Sequence, residues 1–131
     1  MKISTKGRYA VRVMVEFAAH DGEVLSLKSV AEAQNISLKY LEQIVQMLVK
    51  ADLLVSYRGT NGGYKLAKEP AQINVLSILR ATEGDLSIVA CLGNETCVKH
   101  EHCRARKCWD KLNGLIDDYL QSVSLSKLLS E

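Results

Sequence analysis

The sequence predicts a mostly α-helical chain with a small β-hairpin wing: a winged helix-turn-helix domain followed by a long C-terminal helix suited to dimerisation. Three observations predict it. Apolar residues recur at helical spacing in five separate stretches. The second and third stretches are separated only by Asn35-Ile36-Ser37, after which the period turns strand-like on either side of the glycine-rich Arg58-Gly-Thr-Asn-Gly-Gly63. The last stretch is the longest and carries one apolar stripe.

The first helix is placed at about Thr5 to Ala19, because Ala10, Val13, Met14, Phe17 and Ala18 share one face, and Asp21-Gly22 ends it. Ser26 is the expected N-cap of a short second helix with Leu27, Val30 and Ala31 inward. Asn35-Ile36-Ser37 reads as a tight turn. Ser37 caps a third helix, apolar along Leu41, Ile44, Val45, Leu48 and Val49, that runs to about Asp52. Leu53 to Tyr57 and Tyr64 to Ala67 are the two strands of the hairpin. Beyond Pro70, Asn74 to Glu83 forms a fourth helix stopped by Gly84-Asp85. A cysteine-bearing loop follows. The long helix then spans roughly Arg104 to Val123, with Cys108, Leu112, Leu115, Ile116, Tyr119 and Val123 as its stripe, and Leu125, Leu128 and Leu129 close the chain in a short turn. The expected division is residues 1–84 for the winged helix and 85–131 for the cysteine loop and dimerisation helix.

With 131 residues and 47% hydrophobic content, the chain can bury one core or a small domain plus an extension that pairs with another copy. It has no apolar run of membrane-spanning length and begins without a secretory pattern, so a cytoplasmic protein is expected. Net charge is +2, but residues 1–68 carry +4 and the remainder −2. That asymmetry suits a half that meets nucleic acid. No nucleophile-base constellation is visible, and Gly59-Thr-Asn-Gly-Gly63 lacks the lysine and hydroxyl of a P-loop, so no enzyme is expected.

On the third helix, Lys39, Glu42, Gln43, Gln46 and Lys50 fall within a narrow arc opposite the apolar stripe. Such side chains reach base edges and phosphates: glutamine pairs with adenine, glutamate accepts from cytosine N4, and lysine meets phosphate or guanine. Arg58 and Gly59 lie in the wing, where glycines permit close backbone approach and an arginine can enter the minor groove. The alternative for each is a solvated helix face and a plain hairpin. Double-stranded DNA is the expected partner because these features occur in the order of a winged helix.

All four cysteines, Cys91, Cys97, Cys103 and Cys108, fall within 18 residues. In a reducing compartment such clustering points to metal or redox chemistry more than to disulfides. Thiolates ligate iron in clusters, and two gaps of five residues let a loop fold around a two-iron core. Structural zinc sites usually show pairs separated by two to four residues, whereas the gaps from Cys91 to Cys97 and from Cys97 to Cys103 are five each.

Lys6-Gly-Arg-Tyr-Ala10, Ser37-Leu-Lys-Tyr-Leu-Glu-Gln43 and Arg58-Gly-Thr-Asn-Gly-Gly-Tyr64 together resemble the IscR-type bacterial transcription regulators, over almost the whole chain. The resemblance implies a homodimer joined through the long C-terminal helices and bound to a two-fold related operator. It implies that Glu42, Gln43 and Arg58 contact DNA, and that Cys91, Cys97 and Cys103 hold a 2Fe-2S cluster. The sequence departs from the pattern twice. Lys39 stands where the best-known relatives have serine, and Arg106 stands where they have a histidine ligand. Four candidates for the fourth ligand remain: Cys108, His100, His102 or a residue of the partner subunit. Cys108 lies one turn before Leu112 on the stripe, which also suits a packed structural thiol.

Three functions follow from the resemblance. The first is a repressor or activator of iron-sulfur assembly genes that responds to its cluster. The second is a nitric oxide or redox sensor using the same cluster. The third is a cluster-free regulator that binds a metabolic enzyme, a reading the cysteines oppose.

Overall fold

The computed structural model describes residues 2–89, Leu92 and residues 103–131. Its helices are α1 (Thr5–Ala19), α2 (Leu27–Gln34), α3 (Leu38–Lys50), α4 (Val75–Glu83), α5 (Arg106–Ser122) and α6 (Leu125–Ser130). Strands β1 (Leu54–Tyr57) and β2 (Gly63–Leu66) form an antiparallel hairpin in which Leu54 faces Leu66 and Tyr57 faces Gly63. The mostly helical winged helix-turn-helix expected from the sequence is therefore what forms.

Capping fixes where the helices begin. Ser4, Ser26 and Ser37 each accept a hydrogen bond from the backbone amide three residues ahead, at 3.1–3.2 Å, satisfying donors that the first turns of α1, α2 and α3 leave unpaired. Between α2 and α3, Asn35 adopts a left-handed conformation (φ 54°, ψ 50°), a role asparagine fills with little steric cost. Gly84 ends α4 at φ 75°.

Most of the core is one cluster, with a smaller one of Val75, Leu79 and Val123 beside it. Phe17, Met14, Leu41, Ile44, Leu48 and Ile78 are almost wholly removed from water, which places α1, α3 and α4 around a common centre. Gly7 brings α1 onto α4: a Cβ there would meet the Glu83 carboxylate, which itself accepts from the Ser4 amide at 3.0 Å and from the Ser4 hydroxyl. The chain end returns to this core. Leu125 is fully buried in it, Val75 donates to the Val123 carbonyl (2.9 Å) and Leu125 donates to that of Ile73 (2.9 Å).

Several details differ from the sequence reading. Each strand begins one residue away from its expected start, a 3-10 turn occupies Pro70–Gln72, and the closing segment is a helix, α6, rather than a short turn. The start of α5 lies at Arg106, two residues later than expected, and its N-cap Ala105 offers no side-chain acceptor. The largest difference concerns the α5 stripe. No residue of α5 is buried; Leu112, Leu115, Tyr119 and Trp109 are 42%, 60%, 64% and 39% exposed, and Cys108 is exposed as well. A packed Cys108 is therefore not found within the single chain. The reason is rotational: α5 rests on α4 through Asp117, 3.8 Å from Arg80, and through Leu120, and this turns the stripe outward.

Candidate nucleic-acid interface and cysteine segment

The face of α3 opposite the core presents Lys39, Glu42, Gln43, Gln46 and Lys50, all exposed. None of these side chains has a hydrogen bond or ion pair among the described residues, so their polar groups are available to an outside partner. The helix that carries them is rigidly held. Leu41, Ile44, Val45 and Leu48 anchor its other face, and the Tyr40 ring meets Tyr9 of α1 edge-on with centroids 5.9 Å apart.

A brace from α1 fixes α2 beside it. Arg12 lies over the Tyr9 ring at 5.0 Å, and its guanidinium donates to the Gln34 side-chain oxygen at 3.2 Å and to the Gln34 carbonyl. Gln34 in turn donates to Glu16 at 3.2 Å. Sequence reasoning missed this brace. The only signal was the i,i+3 spacing of Tyr9 and Arg12, which allows contact on a helix without saying what else the arginine reaches.

The wing is tied back to the body. Leu25 and Tyr64 exchange two backbone hydrogen bonds, at 2.8 and 2.9 Å, adding a short third edge to the hairpin ahead of α2. This contact explains one of the three glycines, Gly63, and the fold of the tip itself explains Gly62. A Cβ on Gly63 would sit 2.2 Å from the Leu25 carbonyl oxygen, and one on Gly62 would sit 2.3 Å from that of Tyr57. Both serve close approach inside the chain. Gly59, at φ 104° with open space around it, begins the tip, and the Gly62 amide donates back to the Gly59 carbonyl at 3.0 Å. Arg58 precedes that turn, exposed and without a hydrogen bond or ion pair among the described residues. Lys65 lies 5.2 Å from the Tyr57 ring centroid and adds a second cation to the wing.

Of the cysteine-segment residues named from the sequence, Cys91, Cys97, His100 and His102 lie outside the described residues. Cys103 is half-buried in the turn before α5, where its carbonyl accepts from the Arg106 amide at 3.3 Å. Because α5 begins only at Arg106, Cys103 and Cys108 do not share one helix. At the other end of the segment, the Ile88 amide donates to the Asn113 side chain at 3.1 Å, tethering the segment's start to α5. Among the described residues no group of three metal-ligating side chains is assembled. One polar atom stands out there: Arg106 Nη1 is buried and has no hydrogen-bond partner among the described residues. A buried cationic donor is costly unless an anion faces it. A core of iron and sulfide held by thiolates is such an anion, so the donor types in this segment and the orphaned guanidinium nitrogen are compatible with it.

Comparison with known proteins follows the same lines. Residues 3–131 match the Rrf2 family model, described as an iron-dependent transcriptional regulator. The HTH-type transcriptional regulator IscR of Aliivibrio salmonicida is 38% identical, covering 98% of this chain and 77% of that protein. Among solved structures, CymR, the global cysteine regulator of B. subtilis, is 39% identical with a TM-score of 0.84, covering 99% of this chain and 97% of that one. IscR of T. potens is 38% identical with a TM-score of 0.76, covering 99% and 87%.

Proposed function

We propose that this chain, which belongs to the Rrf2 family of transcriptional regulators, acts in the cytoplasm as an operator-binding homodimer whose DNA affinity is set by a 2Fe-2S cluster. In this reading residues 1–84 read DNA, while residues 85–131 carry the cysteines and the subunit contact. Cys91, Cys97 and Cys103 hold the cluster. The fourth ligand is Cys108, His100, His102 or a partner-subunit residue. Bound there, the group supplies sensitivity to iron supply, redox state or nitric oxide, and the regulated genes are those of iron-sulfur assembly.

DNA reading falls to α3 and the wing. Glu42 and Gln43 address base edges, Lys39 and Gln46 flank them, and Arg58 with Gly59 reaches the neighbouring groove. Two copies related by a two-fold axis present two such sets to two half-sites.

The observation that carries the regulatory reading is the place of α4. It packs against α1, α3 and α5 at once, and the cysteine segment leaves from its C-terminal end and re-enters at α5. Cluster binding in that segment constrains α5 against α4, through the Ile88–Asn113 tether and the Arg80–Asp117 pair. It thereby biases the spacing of the two α3 helices in a dimer. A ligand confined to one site then changes affinity at another because both bias the same packed element.

The likeness to the B. subtilis global cysteine regulator supports a second reading, in which the same frame serves a cluster-free regulator that binds a metabolic enzyme. One experiment separates them: absorbance, iron and acid-labile sulfide of protein purified without oxygen. Visible charge-transfer bands with two irons per chain support the cluster. A colourless chain that contains zinc, or no metal, supports the second reading.

A further inference from the structure

We infer that Leu38 is a specificity residue that reads a thymine methyl group in the major groove, beside the base pair addressed by Glu42. The inference rests on the reading of α3 as the DNA-reading helix.

The aliphatic residues of α3 pack inward, Val49 only in part, with one exception. Leu41, Ile44, Val45 and Leu48 are at most 1% exposed, whereas Leu38 is 45% exposed. An exposed leucine is ordinary by itself. Its position is what gives this one a use. Leu38 is the first residue of α3, and in helix-turn-helix proteins the N-terminal residues of the second helix meet base edges. An aliphatic side chain has no part in capping the helix, a role the Ser37 hydroxyl fills by accepting from the Tyr40 amide. On the helix surface residues four apart are neighbours, so Leu38 and Glu42 lie on one ridge at the edge of the polar arc.

That pair has complementary chemistry. A carboxylate accepts from cytosine N4, while an aliphatic side chain in the major groove finds its apolar contact in the C5 methyl of thymine. Leu38 thus converts exposed apolar area into discrimination between thymine and the bases that lack the methyl. It does so at the base step next to the one Glu42 reads.

The test uses a duplex selected from random-sequence DNA by the intact dimer, resynthesised with each thymine replaced singly by deoxyuridine. Base pairing is preserved and only the methyl is lost. Wild-type protein is expected to lose about fourfold in affinity at one position per half-site, the ratio carried by burying one methyl-sized group. Changing both half-sites should cost about 15-fold. Leu38→Ala should bind the thymine duplex more weakly and show no penalty for deoxyuridine at that position. A duplex on which deoxyuridine costs nothing anywhere, or an equal penalty in Leu38→Ala, overturns the inference. Glu42→Ala is the companion variant. If it leaves the order of preference among cytosine variants unchanged, α3 is not the reading helix and the underlying interface reading fails instead. Since Leu38 lies outside the core, an unaltered melting temperature identifies a binding effect.

Discussion

The stripe on α5 sets the strongest quantitative expectation. Leu115 is 60% exposed on a helix none of whose residues is buried by its own chain. Fully burying a leucine side chain is worth roughly 1.5–3 kcal/mol, so covering the exposed part of Leu115 against a second copy contributes about 1–2 kcal/mol per chain. A two-fold interface uses each residue twice, which doubles the figure to about 2–4 kcal/mol per dimer. Truncation to alanine keeps the Cβ and forfeits somewhat over half of this. Leu115→Ala should therefore weaken dimerisation by about 2 kcal/mol, near 30-fold in dissociation constant. Sedimentation across a concentration series checks it, with Lys127→Ala as an exposed control away from the stripe. The fold should persist, because Leu115 contributes nothing to the core around Phe17 and Leu41. An unchanged dissociation constant for Leu115→Ala, or a wild-type monomer that binds its operator tightly, would refute the reasoning.

Other expectations follow from the same geometry. Arg58→Ala should cost about 1–3 kcal/mol of operator affinity and flatten the salt dependence, whereas Asp110→Ala on exposed α5 should leave both nearly unchanged; equal effects would remove the wing from the interface. Gly63→Ala drives a Cβ into the Leu25 carbonyl and should break the two hydrogen bonds that tie the wing to the body, a loss of roughly 1–3 kcal/mol. Denaturant unfolding reads that loss, and an undiminished midpoint would show that the wing tie contributes little. Cys91→Ala, Cys97→Ala and Cys103→Ala should each lose visible absorbance, while Cys108→Ala keeps it and weakens the dimer, since Cys108 lies on the exposed stripe with Leu112. A colourless Cys108→Ala that dimerises normally would make Cys108 the fourth ligand.

Local chemistry made much of this fold readable. Ser26 and Ser37 announce α2 and α3, and the 3.6-residue period of Ala10 to Ala18 and Leu41 to Leu48 announces which faces pack. Non-local pairing was not readable. The Leu25–Tyr64 exchange joins residues far apart in sequence, and the hairpin pattern alone does not reveal a third edge, so Gly63 looked free for close approach to a partner when it serves the chain's own backbone. The α5 stripe shows a different limit: periodicity finds an apolar face but not the surface that covers it. The packed position expected for Cys108 failed for that reason. Lys39, Glu42, Gln43, Gln46 and Arg58 were picked out by residue type and spacing, and the structure leaves each of them exposed. Leu38 was not picked out, because an apolar residue in a helical pattern reads as core until its exposure is known.

The central claim is that cluster occupancy and operator affinity are coupled. Its most direct measurement is the dissociation constant of one anaerobic preparation for its selected duplex, before and after removal of iron by a chelator, at fixed salt. Coupling between two sites of this kind is typically 1–3 kcal/mol, so the two constants should differ by about 5- to 150-fold. Identical affinities and identical salt slopes for the iron-loaded and iron-free protein would contradict the account.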